Sequence, residues 1–170
     1  LKIRDSVSSA GFDTFRNNSL YMVKIPDSVT SIGIDAYSQN NLRDIKIADS
    51  VTSIESGAFS QNRLSAVKIP GSVTSIGNDA FRQNYLTKVK IPDSVNSIGK
   101  DAFTSNNLTE VTLPAHFEDD PPSDAFDSCV KFVYADPVIP EQKDYKRPNT
   151  NKTISGTNKN DDLNGTSKND

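Results

Sequence analysis

At 170 residues, with 34% hydrophobic and 8% aromatic residues and no tryptophan, the chain has room for one ordinary domain or one elongated module with a tail, and little from which to furnish a thick two-layered core. Its 19 basic and 22 acidic residues leave a net charge of -3, which gives no electrostatic footprint for nucleic acid or an anionic membrane. One cysteine excludes an internal disulfide framework, one histidine excludes the usual zinc ligand sets, and no apolar run approaches the roughly 18 to 20 residues of a membrane helix.

From Leu1 onward the chain repeats itself. LKIRDSVSSAGFDTFRNNSLYM is followed by VKIPDSVTSIGIDAYSQNNLRD from Val23, IKIADSVTSIESGAFSQNRLSA from Ile45, VKIPGSVTSIGNDAFRQNYLTK from Val67 and VKIPDSVNSIGKDAFTSNNLTE from Val89, at a strict step of 22 residues. VTLPAHFEDDPPSDAFDSCVKF from Val111 fits after an insertion. A period in the range of roughly 20 to 50 residues is the signature of stacked repeats, so five units and a degenerate closing one make about six coils, from Leu1 to about Tyr134.

The same elements recur within each unit. In Val23-Lys24-Ile25 the two-residue alternation predicts a short strand with both aliphatics inward and the lysine outward. Proline at 26, 70, 92 and 114 ends that strand, because it has no amide to donate. Val29-Thr30-Ser31-Ile32 is β-branched and short, so a second small strand is expected. Gly33, Gly77 and Gly99 turn the next corner. Asp35-Ala36-Tyr37, with Asp79-Ala80-Phe81 and Asp101-Ala102-Phe103, reads as one helical turn with an acidic start and an aromatic plugging the coil. Asn18, Asn40, Asn62, Asn84 and Asn106 form a polar yet regular column, which predicts buried amides bonded to the backbone of adjacent coils. A single coil cannot bury its own apolar side. Stacked coils share a continuous core, with parallel strands about 4.8 Å apart.

The pattern L-x-x-V-x-I-P-x-S-V-T-S-I-G-x-x-A-F-x-x-N-x-L, repeated in register between Leu1 and about Tyr134, resembles the BspA-type leucine-rich repeat of bacterial surface and secreted proteins. The resemblance implies a right-handed leucine-rich solenoid over 1–134, mainly β with short helical turns, whose degenerate last repeat, 111–134, caps the stack. The chain departs from the commoner leucine-rich pattern in placing its asparagine after the aromatic, and Cys129 stands in that column, where this family often has cysteine. The roles implied are adhesion to host or matrix proteins or to other cells, or recognition within a large surface protein. None of them carries a transferable catalytic residue, so a non-enzymatic, monomeric protein at the cell surface or secreted is expected.

Beyond the repeats, 135–155 contains Pro137, Pro140 and Pro148 among charged residues and reads as a linker without a core. In 156–170, Gly156, Asp161, Leu163, Gly165 and Asp170 match the start of an RTX-like nonapeptide at a step of nine. Thr157 and Thr166 stand for the second glycine of that pattern, and Lys159 and Lys168 for the third. Calcium is the ion this second resemblance implies, with Asp161 and Asp170 as its ligands; no other cofactor is expected.

The candidate binding residues lie on exposed columns. Lys24, Lys46, Lys68 and Lys90, with Lys2 before them, are predicted to point outward from the same strand face. They read either as a stripe for an anionic glycan or an acidic protein, or as a device for solubility and register in which Asp5, Asp27, Asp49 and Asp93 pair with the lysines. The columns of Tyr21 and of Ser19 vary most between coils. If they hold a protein ligand, Arg43, Arg63 and Tyr85 are its anchors, because arginine and aromatics dominate hot spots; otherwise they are surface drift. The threonines at 30, 52 and 74 form a hydroxyl ladder of the kind that orders water or meets polysaccharide, interrupted by Ser8 and Asn96. Glu118, Asp119 and Asp120 read as a polar closing loop, His116 as a surface or cap histidine in a serine column, and Cys129 as a small buried filler.

Overall fold

The computed structural model describes residues 8–135, which form a β-solenoid of about six coils. In chain order the strands are β1 (Ser9–Ala10), β2 (Met22–Lys24), β3 (Ser31–Ile32), β4 (Asp44–Lys46), β5 (Ser53–Ile54), β6 (Ser75–Ile76), β7 (Val89–Lys90), β8 (Ser97–Ile98), β9 (Glu110–Leu113) and β10 (Lys131–Tyr134). Every pairing is parallel, and Ser31↔Ser53, Ser53↔Ser75 and Ser75↔Ser97 show the 22-residue step directly. One sheet is continuous across five coils in the order β1-β3-β5-β6-β8. The strands that open the coils form two separate groups, β2-β4 and β7-β9-β10.

The inward columns are those the alternation predicts. Val23, Ile25, Val29, Ile32, Ala36, Tyr37 and Leu42 are all buried. The aromatics pile into one file: Phe15, Tyr37, Phe59, Phe81, Phe103 and Phe126 stack at successive centroid distances of 5.1, 5.5, 5.4, 5.2 and 5.2 Å. Each ring adds about 0.5 to 1.5 kcal/mol of pair attraction to what its burial contributes. Phe132 meets Phe126 edge-on at 5.4 Å and 66°, so the file ends in a crossed ring.

The asparagine column does what its regularity implied. Asn62 Oδ1 accepts the Leu42 amide at 3.0 Å, while its Nδ2 donates to the carbonyls of Tyr37 in the preceding coil at 2.8 Å and of Phe59 in its own at 3.2 Å. Asn40, Asn84 and Asn106 repeat the arrangement.

Asp35-Ala36-Tyr37 forms no helical turn. Asp35, Asp79 and Asp101 have φ of 54, 56 and 58°, in the left-handed region, and Gly57 holds the same place with φ 66°. The amides of Asp35, Tyr37 and Gln39 donate forward to Ser56, Ala58 and Ser60, whereas those of Ala36 and Ser38 turn back to Gly33 and Asp35. A helix would keep these amides within one coil. Here alternate amides join neighbouring coils, and aspartate serves because it tolerates left-handed φ better than most residues. The corner glycines answer to proximity instead: a Cβ on Gly77 would lie 2.5 Å from the Ser56 backbone nitrogen.

The closing coil changes step. Lys131 pairs with Glu110, a register of 21, and two 3₁₀ turns, Ala115–Phe117 and Ser123–Ala125, absorb the acidic insertion. Phe126 reaches β10 five positions on at Lys131, whereas Phe103 reaches β9 after seven at Glu110. That shortcut overturns the expectation for Cys129, which is exposed and not a buried filler. Asp127 supplies the bond to the previous coil instead, its carboxylate accepting the Ser105 amide at 3.0 Å.

Candidate functional site

Strands β2, β4 and β7 send Lys24, Lys46 and Lys90 outward, Lys68 holds the same column without a strand, and all four are exposed. The aspartates at 27, 49 and 93 do not pair with them. Among the described residues the ion pairs are Arg16–Asp13, Arg16–Asp35 and Arg82–Asp79, all at the turn corner. The lysine column is therefore a row on consecutive coils without direct ion pairs. Lys2 and Asp5 lie outside the described residues.

The row crosses a break in the ladder. Residues 65–69, the counterpart of β4 in the next coil, form no strand and make no main-chain hydrogen bond to either neighbouring coil. Val67 is half-buried where Val23, Ile45, Val89 and Val111 are buried. A surface groove lies on each side of the segment. The one toward β4, of about 600 Å³, has Asp27, Asp44 and Asp49 facing Lys46 and Lys68. The one toward β7, of about 510 Å³, is lined by Lys68 and Lys90 with Val67, Ile69 and Pro92, and Asp93 is its one carboxylate. Gly71 stands here in the column of Asp27, Asp49 and Asp93, with open space where a Cβ would stand.

Arg43, Arg63 and Tyr85 are exposed on successive coils. The Arg63 amide donates to the Leu42 carbonyl beside Arg43, and the Tyr85 amide donates to the Leu64 carbonyl beside Arg63, both at 2.9 Å. The main chain thus sets the three in a diagonal row along the approach to the strands. Tyr21 and Met22 add 63% and 60% exposed apolar surface at the same approach.

Other sequence-level candidates resolve into structural roles. His116 Nε2 lies 2.9 Å from the Val95 carbonyl, in the place where Ser50, Ser72 and Ser94 hydroxyls donate to Val29, Val51 and Val73. The histidine substitutes for serine in a rung. Thr52 and Thr74 turn their hydroxyls onto the carbonyls of Thr30 and Thr52, so the threonine ladder is engaged with its own backbone. Glu118, Asp119 and Asp120 are exposed in the closing coil. Among the described residues no group of three or more His, Cys, Asp or Glu side chains is gathered to hold a metal ion, and no helix is long and apolar enough to cross a membrane. Asp161, Asp170 and the proposed linker from 136 onward lie outside the described residues. The sequence reading missed Gly71 and the exposed pair Phe12 and Ile34, both legible as departures within a column.

A family model described as the BspA type leucine rich repeat region matches residues 8–133 in six copies. Among solved structures, a leucine-rich repeat protein from Bacteroides ovatus is similar at 26% identity over 63% of this chain and 35% of its own, with a TM-score of 0.56. A leucine-rich repeat protein from T. pallidum matches at 27% identity over 63% of this chain and 52% of its own, TM-score 0.54. The pneumococcal vaccine antigen PcpA shares the fold at 20% identity over 62% of this chain and 35% of its own, TM-score 0.51. The chain therefore spans about a third to a half of the length of these structures. Comparison with curated proteins finds no significant match.

Proposed function

The chain belongs to the BspA-type leucine-rich repeat family, and from that premise we propose that it is a non-catalytic recognition module of a secreted or cell-surface bacterial protein, holding a protein or glycan on its exposed columns. The observation that carries this reading is the diagonal of Arg43, Arg63 and Tyr85, three side chains of the types that anchor interfaces, exposed on consecutive coils of a stiff stack. Solenoids bind through just such positions, where the coils differ while the interior stays uniform. The test is a pull-down of matrix and host-surface proteins with the purified chain, repeated with Arg43→Ala, Arg63→Ala and Tyr85→Ala combined. A captured protein should bind the triple variant at least tenfold more weakly; undiminished capture would remove this face from the proposal. A structural spacer within a large exoprotein is the second reading, favoured by the unbroken aromatic file and asparagine column, and it expects no capture above background. Calcium binding by Asp161 and Asp170 belongs to the same proposal, and calorimetric titration of the whole chain with calcium tests it.

A further inference from the structure

We propose that the groove between residues 65–69 and β7 is a subsite for a carboxylate-bearing sugar of an acidic glycan, gripped by Lys68 and Lys90; this rests on the recognition reading and gives it a ligand class and a place. Three observations converge there. First, the charge is asymmetric: this groove has two lysines against Asp93, whereas its neighbour across the same segment has three aspartates against two lysines. Second, the asymmetry comes from two columns: in the coil of Lys68, Ala66 stands where the coil before has Asp44, and Gly71 where it has Asp49. Asp27, Asp49 and Asp93 share a column in which the coil between the last two carries Gly71, so the rim of the groove lacks that coil's carboxylate and its space is open. Residues 65–72 contain Lys68 and no acidic side chain, and Lys88 lies just before Lys90. Third, Val67, Ile69 and Pro92 give the same groove an apolar lining beside the two lysines.

A pyranose ring carrying a carboxylate matches that combination, since it offers a face of C–H groups to the apolar lining and a charged rim to the lysines. Spacing favours a sugar chain over an extended acidic peptide. The coils advance by 5.4 Å between Phe59 and Phe81 and by 5.2 Å between Phe81 and Phe103. Same-side carboxylates of an extended peptide recur about every 6.7 Å, out of step with the lysine row, whereas a sugar polymer with one charge per ring keeps step with successive coils and one with a charge per ring pair, such as hyaluronan, with every second coil. Lys24 and Lys46 continue the row toward the N-terminal side.

The decisive variant is Gly71→Asp. It restores the aspartate of positions 27, 49 and 93 into open space, so the fold should be unaffected, and it adds a carboxylate to the rim of the groove. Binding of hyaluronan oligosaccharides to the full chain would be measured at low and at physiological salt, with neutral dextran and poly-glutamate as comparators. Hyaluronan should bind, more weakly as salt rises, and Gly71→Asp should weaken it about fivefold, with a larger loss for Lys68→Gln combined with Lys90→Gln. Circular dichroism of each variant should match that of the parent. Hyaluronan affinity unchanged in Gly71→Asp and in the double lysine variant, dextran bound as well as hyaluronan, or poly-glutamate bound in preference would each overturn the proposal. The triple variant of Arg43, Arg63 and Tyr85 separates the two readings: it should retain hyaluronan, so undiminished protein capture by that variant counts against the recognition face alone, and hyaluronan affinity unchanged in Gly71→Asp counts against the groove alone.

Discussion

Tyr37 is the member of the aromatic file that carries a hydroxyl, and that hydroxyl is buried without a hydrogen-bond partner. Burial pushes its phenol well above the ordinary value of 10.0. Tyr37→Phe keeps the stack and removes the orphan, and should stabilise the fold by about 1 kcal/mol in denaturant unfolding at neutral pH. The sign of the pH dependence follows from where the proton is held. Below 10 the phenol is neutral in both states, whereas above 10 the unfolded chain ionises and the folded one resists, so stability falls as pH rises. The advantage of Tyr37→Phe over the parent should therefore widen above pH 10, and a constant difference across that range would contradict the burial argument. The asparagines give a paired contrast. Asn62→Ala strips a buried cross-coil bond at each of its two polar atoms and should cost about 3 kcal/mol, whereas Asn18, whose amide bonds its own coil through Phe15 and Arg16, should cost under about 1 kcal/mol. The burial of Asn62 could be read from the regularity of its column, because a fixed polar letter among apolar ones needs a fixed partner. The exposure of Cys129 could not, since it depends on how many residues the last coil spends reaching β10.

Short strands form wherever at least one neighbour supplies a ladder, as β4 with β2 and β7 with β9, and none forms at 65–69, where neither does. Unbonded amides have no acceptor to break before they exchange. In native-state hydrogen exchange, the amides of residues 67–69 should exchange at least tenfold faster than those of Ser75–Ile76, which pair on both sides within the same coil. Equal protection would mean that the ladder is closed there in solution. Period-two alternation made Val23-Lys24-Ile25 readable as a strand with its lysine outward, and the same letters recur at Val67-Lys68-Ile69 without forming one. Local pattern fixes which side faces the core; pairing is decided between coils, at a separation of 22 residues that no short window senses. The same limit explains Asp35-Ala36-Tyr37. Its composition favours a capped helical turn, but the carbonyls of Ser56 and Ala58 one coil away compete for its amides and win.

Because each coil touches only its neighbours, stability should accumulate by units. Excising 67–88 joins Ala66 to Val89 in phase, preserves every column, and should leave a folded protein of lower unfolding midpoint. Excising 67–77 puts aromatics opposite strands and should abolish the fold. Circular dichroism and thermal unfolding distinguish the two, and survival of the shorter deletion would show that the columns do not dictate the stack. The repeat number, the core columns and the solenoid were all legible because 22-residue self-similarity converts sequence position directly into height along the axis. The binding face was less legible: Arg43, Arg63 and Tyr85 stood out as variable, but the groove beside Gly71 emerges only once missing carboxylate and missing ladder are seen to coincide. Finally, the crossed ring of Phe132 gives the molecule a direction of growth. A duplicated unit slipped in anywhere upstream of Val111 would find flat rings above and below it, whereas one appended after Tyr134 would meet the edge of a phenyl group, so lengthening such a protein by gene duplication has to proceed from within.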